Sequence, residues 1–151
     1  TLNGGTLQNT AMLSMTRNVT LGASDGTFLT DSGTTLALSG ILSGTGALTK
    51  TGTGTLALSG ANTYSGTTTI SAGTLSISAD STLGTGSLVL SGGTLQNTAT
   101  LSMTRNVSLG AAGGTFQTDP STTLTLSGVI SGTGTLNKTG TGTLVLSGAS
   151  T

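Results

Sequence analysis

Leucine and threonine alternate along this chain in short bursts, among them Thr35-Leu36-Ala37-Leu38, Thr55-Leu56-Ala57-Leu58 and Thr143-Leu144-Val145-Leu146. A period of two puts apolar side chains on one side of a strand and hydroxyls on the other, so each burst predicts a short, half-buried strand. Many bursts open on a Gly-Thr/Ala-Leu/Phe step. These steps begin at Gly5, Gly26, Gly46, Gly73, Gly93, Gly114 and Gly134, at spacings of 21, 20, 27, 20, 21 and 20 residues. A beat of this length suits a solenoid, in which each coil buries its apolar side against the coils above and below. Leucine-rich repeats share the period, but their helical backs need helix formers that are scarce here: Glu is absent.

A longer echo overlies the short one. The segment GGTLQNTAMLSMTRNV (Gly4–Val19) returns as GGTLQNTATLSMTRNV (Gly92–Val107), and residues 1–63 match residues 89–151 at 47 of 63 positions without a gap. The chain is therefore read as one continuous segment, 1–151, holding an 88-residue unit (1–88) and part of a second (89–151), an excerpt of a longer array. Four beats make the unit, which predicts four coils per unit and about seven coils in all. The fold expected is all-β: a parallel β-helix, or β-solenoid, with coils of roughly 20–27 residues. At about 4.8 Å per coil the stack would be roughly 30–35 Å tall. The apolar members of the bursts, from Leu36 and Leu38 through Met103, Val107 and Phe116 to Leu136, Leu144 and Leu146, are expected to face inward. Gly40, Gly60, Gly92, Gly128 and Gly148 close strands and are expected at corners with positive φ.

Composition changes this picture in two ways. Thr, Ser and Gly supply 82 of 151 residues, a bias typical of disordered linkers. The phased leucines reject that reading and leave a thin core, because Phe28, Phe116 and Tyr64 are the only aromatics. Four acids balance four bases without clustering, which argues against capture of nucleic acid or of an anionic membrane surface. No apolar run approaches the roughly 20 residues that span a bilayer.

Candidate chemistry is sparse. Without His or Cys there is no Ser/His triad, thiol nucleophile or imidazole ligand, and without Glu only Asp pairs could do acid/base work. Asp31 and Asp119 are equivalent and four coils apart, about 19 Å on the same spacing, beyond the roughly 5–10 Å of a glycosidase pair. No Gly-Gly-x-Gly-x-Asp turn offers calcium its six to eight oxygens. Arg17 and Arg105 recur and are expected to pair with Asp31 and Asp119. The segment is expected to be no enzyme and to hold no metal or cofactor.

The stretch from Gly44 to Ile77, GTGALTKTGTGTLALSGANTYSGTTTISAGTLSI, resembles the autotransporter-associated β-strand repeat of Gram-negative passenger regions. Lys50, Gly52, Gly54, Leu56, Leu58, Gly60, Asn62, Tyr64, Gly66, Thr68, Ile70, Gly73 and Leu75 carry the resemblance. It restarts with Lys138, Gly140, Gly142, Leu144, Leu146 and Gly148, and Ser150 replaces the asparagine. The resemblance implies a right-handed parallel β-helix on the bacterial cell surface, anchored to the outer membrane through a barrel outside this segment.

Two classes of function stay open on the sequence. The first is a structural cell-surface solenoid acting as stalk, fibre or adhesive passenger. Its partners would be neighbouring coils of the same longer chain, further copies joined end to end or laterally into filaments, and a glycan or host-surface ligand. The second is a carbohydrate- or ice-binding module on flat Thr-rich faces, with Thr51, Thr53, Thr55, Thr139, Thr141 and Thr143 as candidate contacts. That Thr-x-Thr pattern recurs only every 88 residues, so adjacent coils are not expected to continue it. Tyr64 is a further candidate surface contact, its alternative role being to cover a coil corner.

Overall fold

The computed structural model describes all 151 residues. Nineteen short strands wind through seven coils. The first coil holds β1 (Gly5–Asn9), β2 (Leu13–Met15) and β3 (Val19–Leu21), and the second β4 (Gly26–Thr30), β5 (Thr35–Leu38) and β6 (Leu42–Gly44). The third holds β7 (Leu48–Thr51) and β8 (Thr55–Leu58), the fourth β9 (Thr68–Ile70) and β10 (Thr74–Ile77). Then come β11 (Leu88–Leu90), β12 (Thr94–Asn97) and β13 (Leu101–Met103) in the fifth, β14 (Val107–Leu109), β15 (Gly114–Thr118) and β16 (Thr123–Leu126) in the sixth, and β17 (Ile130–Gly132), β18 (Leu136–Thr139) and β19 (Thr143–Leu146) in the seventh.

Every strand pairing is parallel, and the strands stack into three faces. The first strand of each coil joins one seven-stranded sheet, in the order β1-β4-β7-β9-β11-β14-β17, and the second strand of each coil joins another, β2-β5-β8-β10-β12-β15-β18. The third face carries β3-β6 near one end and β13-β16-β19 near the other. Between them the backbone bridges the gap without regular strands. Thr63 and Ser65 donate their N–H groups to the carbonyls of Leu42 and Gly44, and Thr85 donates to the Tyr64 carbonyl from a loop that contains a 3-10 turn at Asp80–Leu83. The expected β-solenoid of about seven turns is the fold observed.

Alternation fills the axis. Twenty-five buried apolar residues form one cluster along the stack, each fully buried leucine contributing about 1.5–3 kcal/mol by leaving water. In-register rows such as Leu36-Leu56-Leu75-Leu95-Phe116 stack like with like. The expected inward positions are buried except Leu136, Leu144 and Leu146, which lie in the last coil and are covered from one side only.

The 88-residue unit spans four full turns and one further face. Its first strand, β1, lies in the first sheet, whereas the equivalent β12 lies in the second; likewise β7 and its equivalent β18. The 27-residue step between Gly46 and Gly73 accounts for the excess, because it carries the chain from the first face of the third coil to the second face of the fourth. Equivalent sequences therefore fold equally well on different faces.

The glycines that follow the Leu-Ser pairs are needed for a reason other than the one expected. Gly60 does not adopt positive φ; a Cβ there would run into the carbonyl of Gly40 one coil below, and a Cβ on Gly40 would meet that of Arg17. Close stacking of backbones selects glycine at these corners. Of the five, only Gly92, at φ 107°, takes the left-handed side of the map.

Candidate functional site

The candidate threonines sit at two corners that face different ways. Thr51 ends β7 on the first face, Thr53 is exposed in the turn and Thr55 opens β8 on the second. Thr139 ends β18 on the second face and Thr143 opens β19 on the third, with Thr141 exposed between them. Four coils and one face separate the sets, so they form no common surface.

The Thr-x-Thr pattern is not continued beside Thr51, which pairs with Leu29, but single-file threonine rows do run between adjacent coils. Thr35, Thr55, Thr74, Thr94 and Thr115 pair in register along the second face, and Asn137 ends the row. On the first face Thr6, Thr27, Thr49 and Thr69 form a shorter ladder. The 88-residue echo hid both rows because their members come from different places in the unit. Beside the five-threonine row stand Ala37, Ala57, Ser76, Gln96 and Gln117, so the outer face is uncharged but uneven in size.

Tyr64 is a correction. It is 0 % exposed and cannot act as a surface contact; its hydroxyl lies 2.6 Å from Thr68 Oγ1. Burial pushes its phenol up to about 12, against the opposing pull of the Thr68 hydrogen bond and the Arg105 charge. The neighbouring Asn62 is buried as well. Its Oδ1 accepts from the Leu42 N–H of the coil below at 2.7 Å, and its Nδ2 donates to the Thr82 carbonyl of the coil above at 2.6 Å. One amide side chain thus ties three levels of the stack together.

Lys50 is the polar residue that sequence reasoning missed. It is 0 % exposed, and its Nζ donates to the carbonyls of Thr51, Gly52 and, one coil above, Ala72, at 2.7, 2.8 and 3.2 Å. Burial pulls the ammonium down to about 8. Three carbonyl acceptors use all three donors of the charged form. Its equivalent Lys138 keeps two of those bonds, to Thr139 and Gly140, and is exposed at the end of the stack.

The arginines also differ from expectation. Arg105 pairs with Asp80, Nε to Oδ1 at 2.8 Å, and its remaining nitrogens donate to the carbonyls of Asp80, Leu83, Gly84 and Gly86. It clamps the loop around the 3-10 turn. Asp31 and Asp119 instead accept from Gln8 and Gln96 of the preceding coil, and Arg17 is exposed without an ion-pair partner. Arg105 and Asp119 are 14 residues apart, about two-thirds of a coil, which places them on different faces; Asp80 precedes Arg105 by 25 residues and so lies one level down.

Residues 48–77 and 136–151 match the passenger-associated-transport-repeat. The chain carries autotransporter passenger repeats. An 81-residue stretch is 47 % identical to the adhesin BmaC autotransporter of Brucella suis biovar 1 (strain 1330), covering 52 % of this chain and 2 % of that protein. The chain thus corresponds to a small part of the relative it matches. No solved structure matches it significantly.

The first passenger repeat contains the buried polar residues just described: Lys50, Asn62, Tyr64 and Thr68 all fall within 48–77. Three of their bonds, Lys50 to Ala72 and Asn62 to Leu42 and Thr82, run between coils. What this passenger repeat builds is a joint between successive levels, with Lys50, Asn62, Tyr64 and Thr68 turned to the axis and its other threonines to the outside.

Proposed function

We propose that this segment is a structural passenger solenoid on the bacterial cell surface, a stalk that holds another part of its protein away from an outer-membrane anchor. The observation that carries this reading is the inward use of the repeat's polar residues: Lys50 and Asn62 bind neighbouring coils, Tyr64 is buried against Thr68, and little chemistry is left for an outside ligand. Stacked coils suit export of an unfolded chain, since each folded coil offers an edge on which the next can form. An adhesive role, supported by the name of the relative, would belong to the assembled surface protein.

Surface-displayed chains with one, two or three units test the stalk. The distance from an N-terminal tag to the membrane should grow by about 20 Å per unit, four turns and a face at about 4.8 Å per turn. A distance independent of unit number would overturn it. The carbohydrate- or ice-binding reading draws on the threonine row, but its uneven neighbours weaken the match to a regular lattice. Saturable glycan binding, or inhibition of ice recrystallisation, lost on Thr74→Tyr would favour it over the stalk.

A further inference from the structure

Pro120 is the only proline in the chain, and it follows Asp119 in the corner between β15 and β16, where Pro120 and Ser121 are exposed. The turn Asp119-Pro120-Ser121-Thr122 closes with the Thr122 N–H donating to the Asp119 carbonyl at 3.1 Å and the Thr122 hydroxyl donating to the same oxygen at 2.8 Å. Asn97 Nδ2 donates to that hydroxyl at 2.9 Å, which keeps its proton on the carbonyl. Two donors thus converge on the carbonyl oxygen of the Asp119–Pro120 bond. Ser121 sits at φ 61°, a left-handed conformation that strains a residue with a Cβ.

The Asp119 carboxylate is only half engaged. Its Oδ1 accepts from Gln96 Nε2 of the coil below at 2.8 Å, and Oδ2 has no hydrogen-bond partner in the chain. Asp119 forms no ion pair, and the one charged side chain on the strands around its turn, Lys138, donates to the carbonyls of Thr139 and Gly140. The first unit repeats the turn as Asp31-Ser32-Gly33-Thr34, with the same donors at 3.1 and 2.8 Å and Gln8 on the carboxylate. There serine supplies the nitrogen, and Gly33 takes the positive φ, 72°, without strain.

We propose that the Asp119–Pro120 bond is a self-cleavage site, cut in acid by the Asp119 carboxyl with water as the co-reactant. Oδ2 attacks the main-chain carbonyl carbon of its own residue, and its proton passes to the Pro120 nitrogen. The new C–O bond forms as the C–N bond breaks, leaving a cyclic anhydride on Asp119. Water then opens the anhydride, so the products are a C-terminal aspartic acid and an N-terminal secondary amine. The Thr122 N–H and hydroxyl hold the oxygen that turns negative in the tetrahedral intermediate. Proline favours the step because its nitrogen, bonded to carbon on both sides of its ring, takes up the proton more readily than that of Ser32. The ladders β13-β16, β14-β17 and β15-β18 bridge the break, so the product is a nicked rod that parts when they open.

Incubating the folded chain at about pH 3 and at pH 7, then denaturing it and measuring intact masses, tests the site. Fragments 1–119 and 120–151 should accumulate in acid alone, several-fold faster than from the same chain unfolded in urea, because only the fold sets the Thr122 donors. No cut should follow Asp31. Asp119→Asn, which keeps an acceptor for Gln96, should slow the cut about tenfold or more. Thr122→Val should slow it several-fold in the folded chain and leave the rate in urea unchanged. Ser32→Pro with Gly33→Ser rebuilds the site in the first unit and should add a cut after Asp31, which carries the test if Thr122→Val folds poorly. A chain that stays whole in acid with an unchanged β spectrum would overturn the proposal. So would a folded chain cut no faster than the unfolded one, since the lability would then belong to the dipeptide and not to the turn.

Discussion

Thr55 and Thr143 occupy the same place in consecutive 88-residue units and lie on different faces of the stack. Thr55 opens β8 in the second sheet, and Thr143 opens β19 on the third face. The same holds for Lys50 and Lys138, whose fates differ because one is covered by a further coil and the other is not.

Core truncations should reveal that difference in cover. Leu56→Ala, inside the stack, is expected to cost about 2–5 kcal/mol, while the equivalent Leu144→Ala in the half-exposed last coil should cost clearly less. Urea midpoints of the two variants measure the gap. Equal losses would mean that the last coil is covered in solution.

Stability should rise between about pH 8 and 10 and fall at higher pH. The folded Lys50 ammonium gives up its proton at about 8, below the ordinary 10.5, so between these values the unfolded chain holds the extra proton and raising the pH favours the fold. Tyr64 acts in the opposite sense: the unfolded phenol ionises near 10 and the folded one near 12, so stability is lost across that window. Urea unfolding at pH 7, 10 and 12 gives the profile. Lys50→Met should flatten its rise, and Tyr64→Phe its fall.

Arg105→Ala should be costly and Arg17→Ala nearly silent. The first removes five hydrogen bonds around the Asp80–Gly86 loop, and a loss of about 3 kcal/mol is expected, tempered by the partial exposure of Asp80. The second removes an exposed side chain and should stay within about 0.5 kcal/mol. Limited proteolysis adds a local readout: cleavage between Ala79 and Gly86 should appear in Arg105→Ala alone.

Thr118→Val should be neutral or mildly stabilising, by up to about 1 kcal/mol. Thr118 Oγ1 is buried without a hydrogen-bond partner, as is Oδ1 of its in-register neighbour Asn97, and Thr30 with Asn9 repeats the arrangement one unit earlier. Removing a buried hydroxyl that bonds nothing deletes a desolvation cost. A thermal melt that drops by several degrees would show that the hydroxyl has a partner in solution.

The leucine rows were legible in the sequence because burial and a period of two are the same signal, and Leu56 and Leu58 could point nowhere but inward. Lys50 carried that signal too, in phase with Leu48, and was overlooked because an ammonium is costly to bury without acceptors. Those acceptors include the carbonyl of Ala72, 22 residues later, which no local pattern announces. Asn62 and Tyr64 share an inward phase for the same reason. The Arg105–Asp80 pair was missed because identical spacing in both units favoured Asp119, although a partner on the next level must lie about one coil away. The change of face was written in the 27-residue step, which could be read as a long coil until the pairing of β9 and β10 showed a turn and a third.

That extra face gives the unit a pitch. In an array of such units any exposed feature advances by one side of the rod at each repetition and returns to its starting side after three. A mark placed once per unit is therefore drawn along the fibre as a thread and not as a stripe. Whatever such a rod meets, from whichever direction, it meets the same three aspects in turn.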